Sequence, residues 1–359
     1  MKHTIRTVRS RAVAAGAVMS LACTLGACAK SEDQTSGSSG NSAAAAQQVA
    51  GQNGGDCTLQ QYGAKKGDLK GATVGFSQSE KEANPFRIAE TQSMKDEAAK
   101  QGVKLETTNA NSQLPKQIAD IKTLLAKNVD LLIVAPLNSS GLEPALNAAA
   151  KKGVPVVTVD RKLDSGFCQN WITFIGSNFE EQGHRAGKAL IKATGGKGDV
   201  AILLGSSGNN VTTDRTKGFV DELKASAPKM KIVAQQTGDF ARDKGQQVTE
   251  QLLQANSNIS AIYAENDEMA LGALVAIEDA GKKAGTDIKV VSVDGTRNAV
   301  EEVVNGRINA VIESNPRFGP LAFKVATDFL SGKTVKENVV IKDRQYDKSN
   351  AKSDVKSAY

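Results

Sequence analysis

Histidine is nearly absent from this chain: there are two in 359 residues, aromatic side chains make up 4%, and there is a single tryptophan. His3 lies at the extreme N-terminus, which leaves His184 alone in the rest of the chain. One imidazole inside a helical stretch reads as a surface or packing residue and gives little on which to build an acid–base enzyme. Cysteine is sparse as well, and its four residues form no zinc-type cluster. Gly205-Ser206-Ser207-Gly208 follows a strand-like run but lacks the later Lys-Ser/Thr of a phosphate-binding loop, so it reads as a plain βα turn. No metal, nucleotide or other cofactor is expected. Charge is balanced too. Residues 1–27 hold four cations (Lys2, Arg6, Arg9, Arg11) and no acid, so the chain's formal +6 falls to +2 for residues 28–359. That balance gives no reason to invoke nucleic acid.

What the N-terminus does contain is an export pattern. The four cations precede a small, apolar stretch from Ala12 to Ala27, too short and too weakly hydrophobic for a stable membrane span. It ends in Leu25-Gly26-Ala27-Cys28, which resembles a bacterial lipobox, in which cleavage falls before the cysteine and the thiol carries diacylglycerol. The alternative is an ordinary secretory signal cut near Ala27. Residues 28–70 are rich in Ser, Gly, Ala, Gln and Asn, with almost no large apolar side chain before Leu59. Such a segment buries too little to offset its ordering entropy, and reads as a flexible tether between a lipid anchor at Cys28 and a folded body. Cys57 and Cys168 remain. In an exported protein the pair suggests a disulfide stapling the tether's end to the body; two unrelated thiols are the alternative.

From Ala72 onward the pattern is β–α repetition. Apolar runs at 72–76, 131–134, 154–159, 200–204, 259–263 and 288–293 have the composition of strands covered on both faces. Helical stretches are expected at 86–101, 116–127, 179–193, 214–226, 242–255 and 267–281, with Ile118, Ile121, Leu124 and Leu125 forming one apolar stripe. Alternation of this kind predicts an α/β chain of doubly wound parallel sheets, and its length calls for two lobes.

Ligands of open α/β sheets bind beyond the carboxyl ends of the strands. There this sequence places Asn84-Pro85-Phe86-Arg87, Asp160-Arg161, Asp214-Arg215, Gly238-Asp239-Phe240, Glu265-Asn266-Asp267, Asp294-Gly295 and Glu313-Ser314-Asn315. Helix capping accounts for Asp239 and Asp267. It accounts less well for Arg87, Arg161 and Arg215, since a helix N-terminus disfavours a cation. Guanidinium groups alternating with Asp160, Asp294 and Asn266 suit a neutral polyhydroxylated ligand, because each hydroxyl both donates and accepts. Phe86 and Phe240 offer apolar faces to a sugar ring, or else belong to the core.

These stretches, with Val74 to Gln78, Lys217-Gly218-Phe219 and Tyr263 to Ala273, resemble the periplasmic sugar-binding proteins of the ribose-binding, LacI-like type I class, and among them the galactofuranose-binding members. The resemblance runs in order from residue 72 to about 345. It implies lobe I at 71–177 plus 315–336, and lobe II at 178–314 plus 337–359. The chain would cross between them near Gly176–Asn178, Ser314–Asn315 and Lys333–Asn338. It further implies that Phe86, Arg87, Asp160 and Arg161 contact a monosaccharide from lobe I, that Arg215, Phe240, Asn266 and Asp294 do so from lobe II, and that Ser314 stands where ribose binders carry a contacting amide. Arg87 and Val293 occupy positions where ribose binders have Phe, which disfavours ribose; galactofuranose binders share the aromatic–Arg pair, with Trp in place of Phe86. The implied function is extracytoplasmic, non-enzymatic capture of a sugar by a monomeric carrier and its delivery to an ABC permease. Competing readings are a sensory receptor for a sugar or autoinducer, and a glycoside-processing enzyme using Asp160 and Asp294. A transcription regulator with this core would need a DNA-binding motif before Ala72, where the signal and tether stand.

Overall fold

The computed structural model describes residues 47–359; the signal segment, Cys28 and the start of the tether lie outside them. The first run of elements is β1 (Val49–Cys57), α1 (Leu59–Tyr62), β2 (Thr73–Gln78), α2 (Pro85–Gln101), β3 (Lys104–Asn109), α3 (Leu114–Ala126), β4 (Leu131–Val134), α4 (Glu143–Lys151), β5 (Val156–Val159) and β6 (Thr173–Gly176). A second run follows: α5 (Phe179–Thr194), β7 (Lys197–Leu204), α6 (Asn210–Ser226), β8 (Lys229–Thr237), α7 (Arg242–Ala255), β9 (Ile259–Ala264), α8 (Asp267–Asp279), β10 (Lys289–Asp294), α9 (Arg297–Val304) and β11 (Ala310–Glu313). The chain then returns to the first lobe with α10 (Gly319–Leu330) and β12 (Val335–Ile341), and ends in the second with β13 (Gln345–Asp347) and α11 (Ala351–Asp354).

Two sheets result, with strand orders β1-β12-β6-β5-β4-β2-β3 and β13-β11-β10-β9-β7-β8. Every pairing is parallel except those of the edge strands β1 and β13. All four residues of Leu131–Val134 and of Val156–Val159 are buried, as helices on both faces require. Ile121, Leu124 and Leu125 carry the α3 stripe into the core against Leu132 and Trp171. Each lobe therefore buries an apolar layer on either side of its sheet.

Two features depart from the sequence reading. Residues 49–70, expected as tether, belong to the body: 49–57 form a strand paired antiparallel with β12, Leu59–Tyr62 form a helix, and Tyr62 and Leu69 are buried in the lobe I core. An edge strand is held by main-chain hydrogen bonds rather than by apolar burial, so its mostly exposed VAGQNGGDC sequence gives no hydrophobic signal. The strand ends at Cys57, whose sulfur is bonded to that of Cys168. The third crossing also falls later, at Lys342–Arg344, between β12 and β13. Val339 and Ile341 are buried in the lobe I core, which keeps the whole of Val335–Ile341 in the first sheet.

The lobes also touch away from the crossings. The Ser139 amide donates to the Gly208 carbonyl at 3.0 Å, the Asn210 amide to Ser139 Oγ at 3.1 Å, and the Lys162 amide to Asn210 Oδ1 at 3.0 Å. These are contacts of a closed form.

Candidate ligand-binding cleft

Between the lobes, at the carboxyl ends of the strands, lies a chamber with about 330 Å³ of unfilled space. Glu80, Asn84, Phe86, Arg87, Asp160 and Arg161 line it from lobe I; Val211, Arg215, Phe240, Asn266 and Asp294 line it from lobe II.

On the lobe I side, Asn84 caps α2 by accepting from the Arg87 amide at 2.9 Å, and Pro85 occupies the first turn, where its missing N–H costs nothing. This start places Phe86 and Arg87 at the mouth of the helix. The cation there is unfavourable for the helix dipole and is offset by three carboxylates. Arg87 Nη1 lies 2.7 Å from both Asp160 Oδ2 and Glu90 Oε2, and Nε lies 2.9 Å from Glu80 Oε2. Glu80 turns its other oxygen, Oε1, to Arg161 Nη2 at 2.7 Å. One carboxylate thereby holds two guanidinium groups in fixed orientation. Burial acts to raise the Glu80 pKa, but Arg161 and Arg87 together outweigh it and lower it to about 2. Arg161 Nη1 donates to the Leu137 carbonyl at 2.9 Å, whereas Nε is buried with no hydrogen-bond acceptor, Asp160 Oδ2 lying 3.7 Å away. The Phe86 ring packs edge-on against Tyr359, and the Arg87 guanidinium lies 5.0 Å from its centroid.

On the lobe II side, Arg215 projects from the second turn of α6. It donates from Nε to Gln182 Oε1 at 2.9 Å and from Nη1 to the Glu265 carbonyl at 2.5 Å, and Nη2 stands 3.6 Å from Asp294 Oδ1. Asn266 caps α8 through Oδ1 (Met269 amide, 3.0 Å) and donates from Nδ2 to the Phe240 carbonyl at 3.1 Å. It thus fixes the loop that carries Phe240. Burial pushes the Asp294 carboxyl well above its ordinary range, with Arg215 opposing. Asp160, Phe240 and Asp294 have φ of 64°, 59° and 137°, so three lining residues hold positive-φ backbone conformations at strand ends or in the following loop.

The structure brings Phe86, Arg87, Asp160, Arg161, Arg215, Phe240, Asn266 and Asp294 to one chamber. It places Ser314 elsewhere. That residue lies on the second crossing, its hydroxyl 3.4 Å from that of Ser177 on the first, and does not line the chamber. Its place at the end of β11 suggested a ligand contact, but the chain turns there toward lobe I. Glu80 and Val211 were not anticipated. Glu80 lies two residues past the end of β2, which was the available signal; that it joins nearby Arg87 to Arg161, 81 residues on, depends on tertiary structure. Among the described residues no cluster of His, Cys, Asp and Glu could hold a metal ion, and no helix is long and apolar enough to cross a membrane.

Comparison with known proteins finds relatives of the same fold. The chain is 35% identical over 273 residues to the galactofuranose-binding protein YtfQ of Escherichia coli, covering 75% of this chain and 85% of the relative. It is 35% identical over 274 residues to the ribose import binding protein RbsB of Bacillus subtilis, covering 76% and 86%. Among solved structures, a Mycobacterium smegmatis protein in complex with β-D-fucofuranose superposes with a TM-score of 0.75 at 37% identity, over 79% of this chain and 93% of that one. The arabinose-transporter binding protein of Shewanella sp. ANA-3, bound to α- and β-L-arabinofuranose, gives 0.76 at 35%, over 79% and 94%. Residues 74–334 match the model of the periplasmic binding protein domain, and the chain belongs to that family.

Proposed function

We propose that this protein captures a monosaccharide in furanose form outside the cell membrane and delivers it to an ABC importer. The observation that carries this reading is the chamber itself. Guanidinium, carboxylate and amide groups converge on it from both lobes, with Phe86 and Phe240 as apolar faces. The buried, unpartnered Arg161 Nε is a donor for a sugar hydroxyl. Because contacts come from both lobes, the sugar binds the closed form better than the open one, and that difference is what drives closure. Relatives are named for galactofuranose, fucofuranose and arabinofuranose, and at the same identity for ribose; Arg87 and Val293, which stand where ribose binders carry Phe, support a furanose other than ribose.

The protein is a binding protein and not an enzyme. Asp160 is held against Arg87, and Asp294 faces Arg215. In this reading it is exported through residues 1–27, anchored by lipid at Cys28, and acts as a monomer on a membrane permease. A receptor role has one specific support: the fructose-binding periplasmic domain of a hybrid two-component system is 26% identical with a TM-score of 0.72. Uptake of radiolabelled sugar by cells carrying or lacking the gene separates the two. Loss of uptake supports transport; intact uptake with loss of sugar-dependent transcription supports sensing.

A further inference from the structure

The inner chamber is not sealed from the side away from the crossings. Glu80, Asn84 and Phe240 line it and also border an outer chamber. On the same measure, unfilled space is about 330 Å³ inside and about 1840 Å³ outside, each figure including space open to solvent. The outer space does not result from parted lobes, because it adjoins the very contact that joins them. Gly208 lies so close to Asn138 that an added Cβ would stand 3.1 Å from its Oδ1, and the neighbouring Ser139 amide bonds to the Gly208 carbonyl. The closed lobes therefore leave this outer space next to the inner chamber.

Its lining has the chemistry of a neutral polar ligand. Within lobe II Arg242 pairs with Glu268 at 2.9 Å and Lys244 with Asp239 at 2.5 Å, and one further charge of each sign, Lys81 and Asp243, borders the space. Asn138 from lobe I and Ser206 and Ser207 from lobe II present an amide and two hydroxyls whose side chains bond to no other described residue. Phe240 stands at the junction, half-buried, as an apolar surface common to both chambers.

We propose that the outer chamber is a second sugar subsite and that the ligand class extends to furanosides: a disaccharide or longer glycoside whose terminal furanose fills the inner chamber and whose next residue lies beside the Asn138–Gly208 contact, within reach of Asn138 and the Ser206-Ser207 turn. This rests on the sugar-binding reading of the inner chamber. Uncommitted amides and hydroxyls on two facing walls can each donate and accept, which matches the vicinal hydroxyls of a second ring. Apart from Glu80, which is held by Arg87 and Arg161, the charges around the outer space are equal in number of each sign, so none dominates to attract an ionic substituent.

Titration calorimetry on the chain lacking residues 1–28 tests this, using methyl β-D-galactofuranoside, methyl α-L-arabinofuranoside and the (1→5)-linked disaccharide methyl glycoside of each. For the sugar that binds, the disaccharide is expected to bind at least tenfold more tightly than the monosaccharide. Ser207→Trp, at an exposed position, should abolish that gain while leaving the monosaccharide within twofold, and Asn138→Ala should reduce it. A disaccharide that binds no more tightly than the monosaccharide overturns the second subsite and leaves the first intact. So does a Ser207→Trp variant that affects both ligands equally. Binding of neither kind of sugar overturns the sugar-binding reading itself, and the subsite with it.

Discussion

The side-chain amide of Gln47 donates to the main-chain carbonyl of Asn315 at 2.7 Å, tying the N-terminal strand to the second crossing between the lobes. One residue on, the Gln48 carbonyl accepts from the amide of Lys342 on the third crossing at 2.7 Å. The start of the described chain is therefore built into the body beside the crossings, and the Cys57–Cys168 bond pins the far end of β1.

That bond closes a loop with a sequence separation of 111 residues. The double variant Cys57→Ser, Cys168→Ser is expected to lose about 2–5 kcal/mol of stability, read as a lower urea midpoint, with a slope that steepens if the uncross-linked unfolded chain is more open. An unchanged midpoint would mean that β1 adds no constraint to lobe I.

Glu80 is expected to matter to ligand affinity without being the residue that defines the ligand. Glu80→Gln removes the charge shared by Arg87 and Arg161, and breaking a buried ion pair from one side costs about 3–5 kcal/mol. The side chain keeps some solvent access, so the lower end of that range applies. Sugar affinity should fall more than tenfold by calorimetry, while circular dichroism shows the fold retained. Wild-type affinity in this variant would mean that the two guanidinium groups do not need their shared anchor.

Stability should peak in mildly acidic solution. Burial raises Glu265 from 4.5 and Asp343 from 3.8 to about 7 each; Glu265 accepts from the Gly205 amide and Thr216, and Asp343 from Gln182. Between roughly pH 4.5 and 7 the folded chain keeps protons that the unfolded chain has released, so stability falls as pH rises through that window. Glu80 acts in the opposite sense. Its contribution is complete above its ordinary 4.5 and is lost as pH falls toward about 2. The melting temperature should therefore be higher at pH 5 than at pH 7.5, and Glu265→Gln with Asp343→Asn should flatten the decline. A melting temperature that rises from pH 5 to 7.5 would contradict the assignment.

The sequence discloses the parts of this molecule that depend on local pattern. Buried runs such as Leu131–Val134 announce strands because both faces are covered, and Asn84-Pro85 announces a helix start because capping is local. Phe86, Arg87, Asp160, Arg161, Arg215, Phe240, Asn266 and Asp294 are legible as a cleft because they share one topological position, at or just beyond strand ends. What is not legible depends on main-chain pairing or on distant partners. β1 has no apolar signature, and Glu80 acquires its role only when α2 and the β5 end bring two arginines to it. Ser314 fits the strand-end rule and misses the chamber, because that rule does not say to which lobe the chain turns next.

The central claim is most directly tested by thermal unfolding of the chain lacking residues 1–28 against a panel of furanose and pyranose sugars. A sugar at about 100 times its dissociation constant adds about 2.7 kcal/mol to the folded state, a shift of a few degrees for a domain of this size. The account predicts that a galactofuranose- or arabinofuranose-type sugar raises the melting temperature, and that Arg161→Ala removes the shift. A panel in which no sugar moves the transition would contradict it.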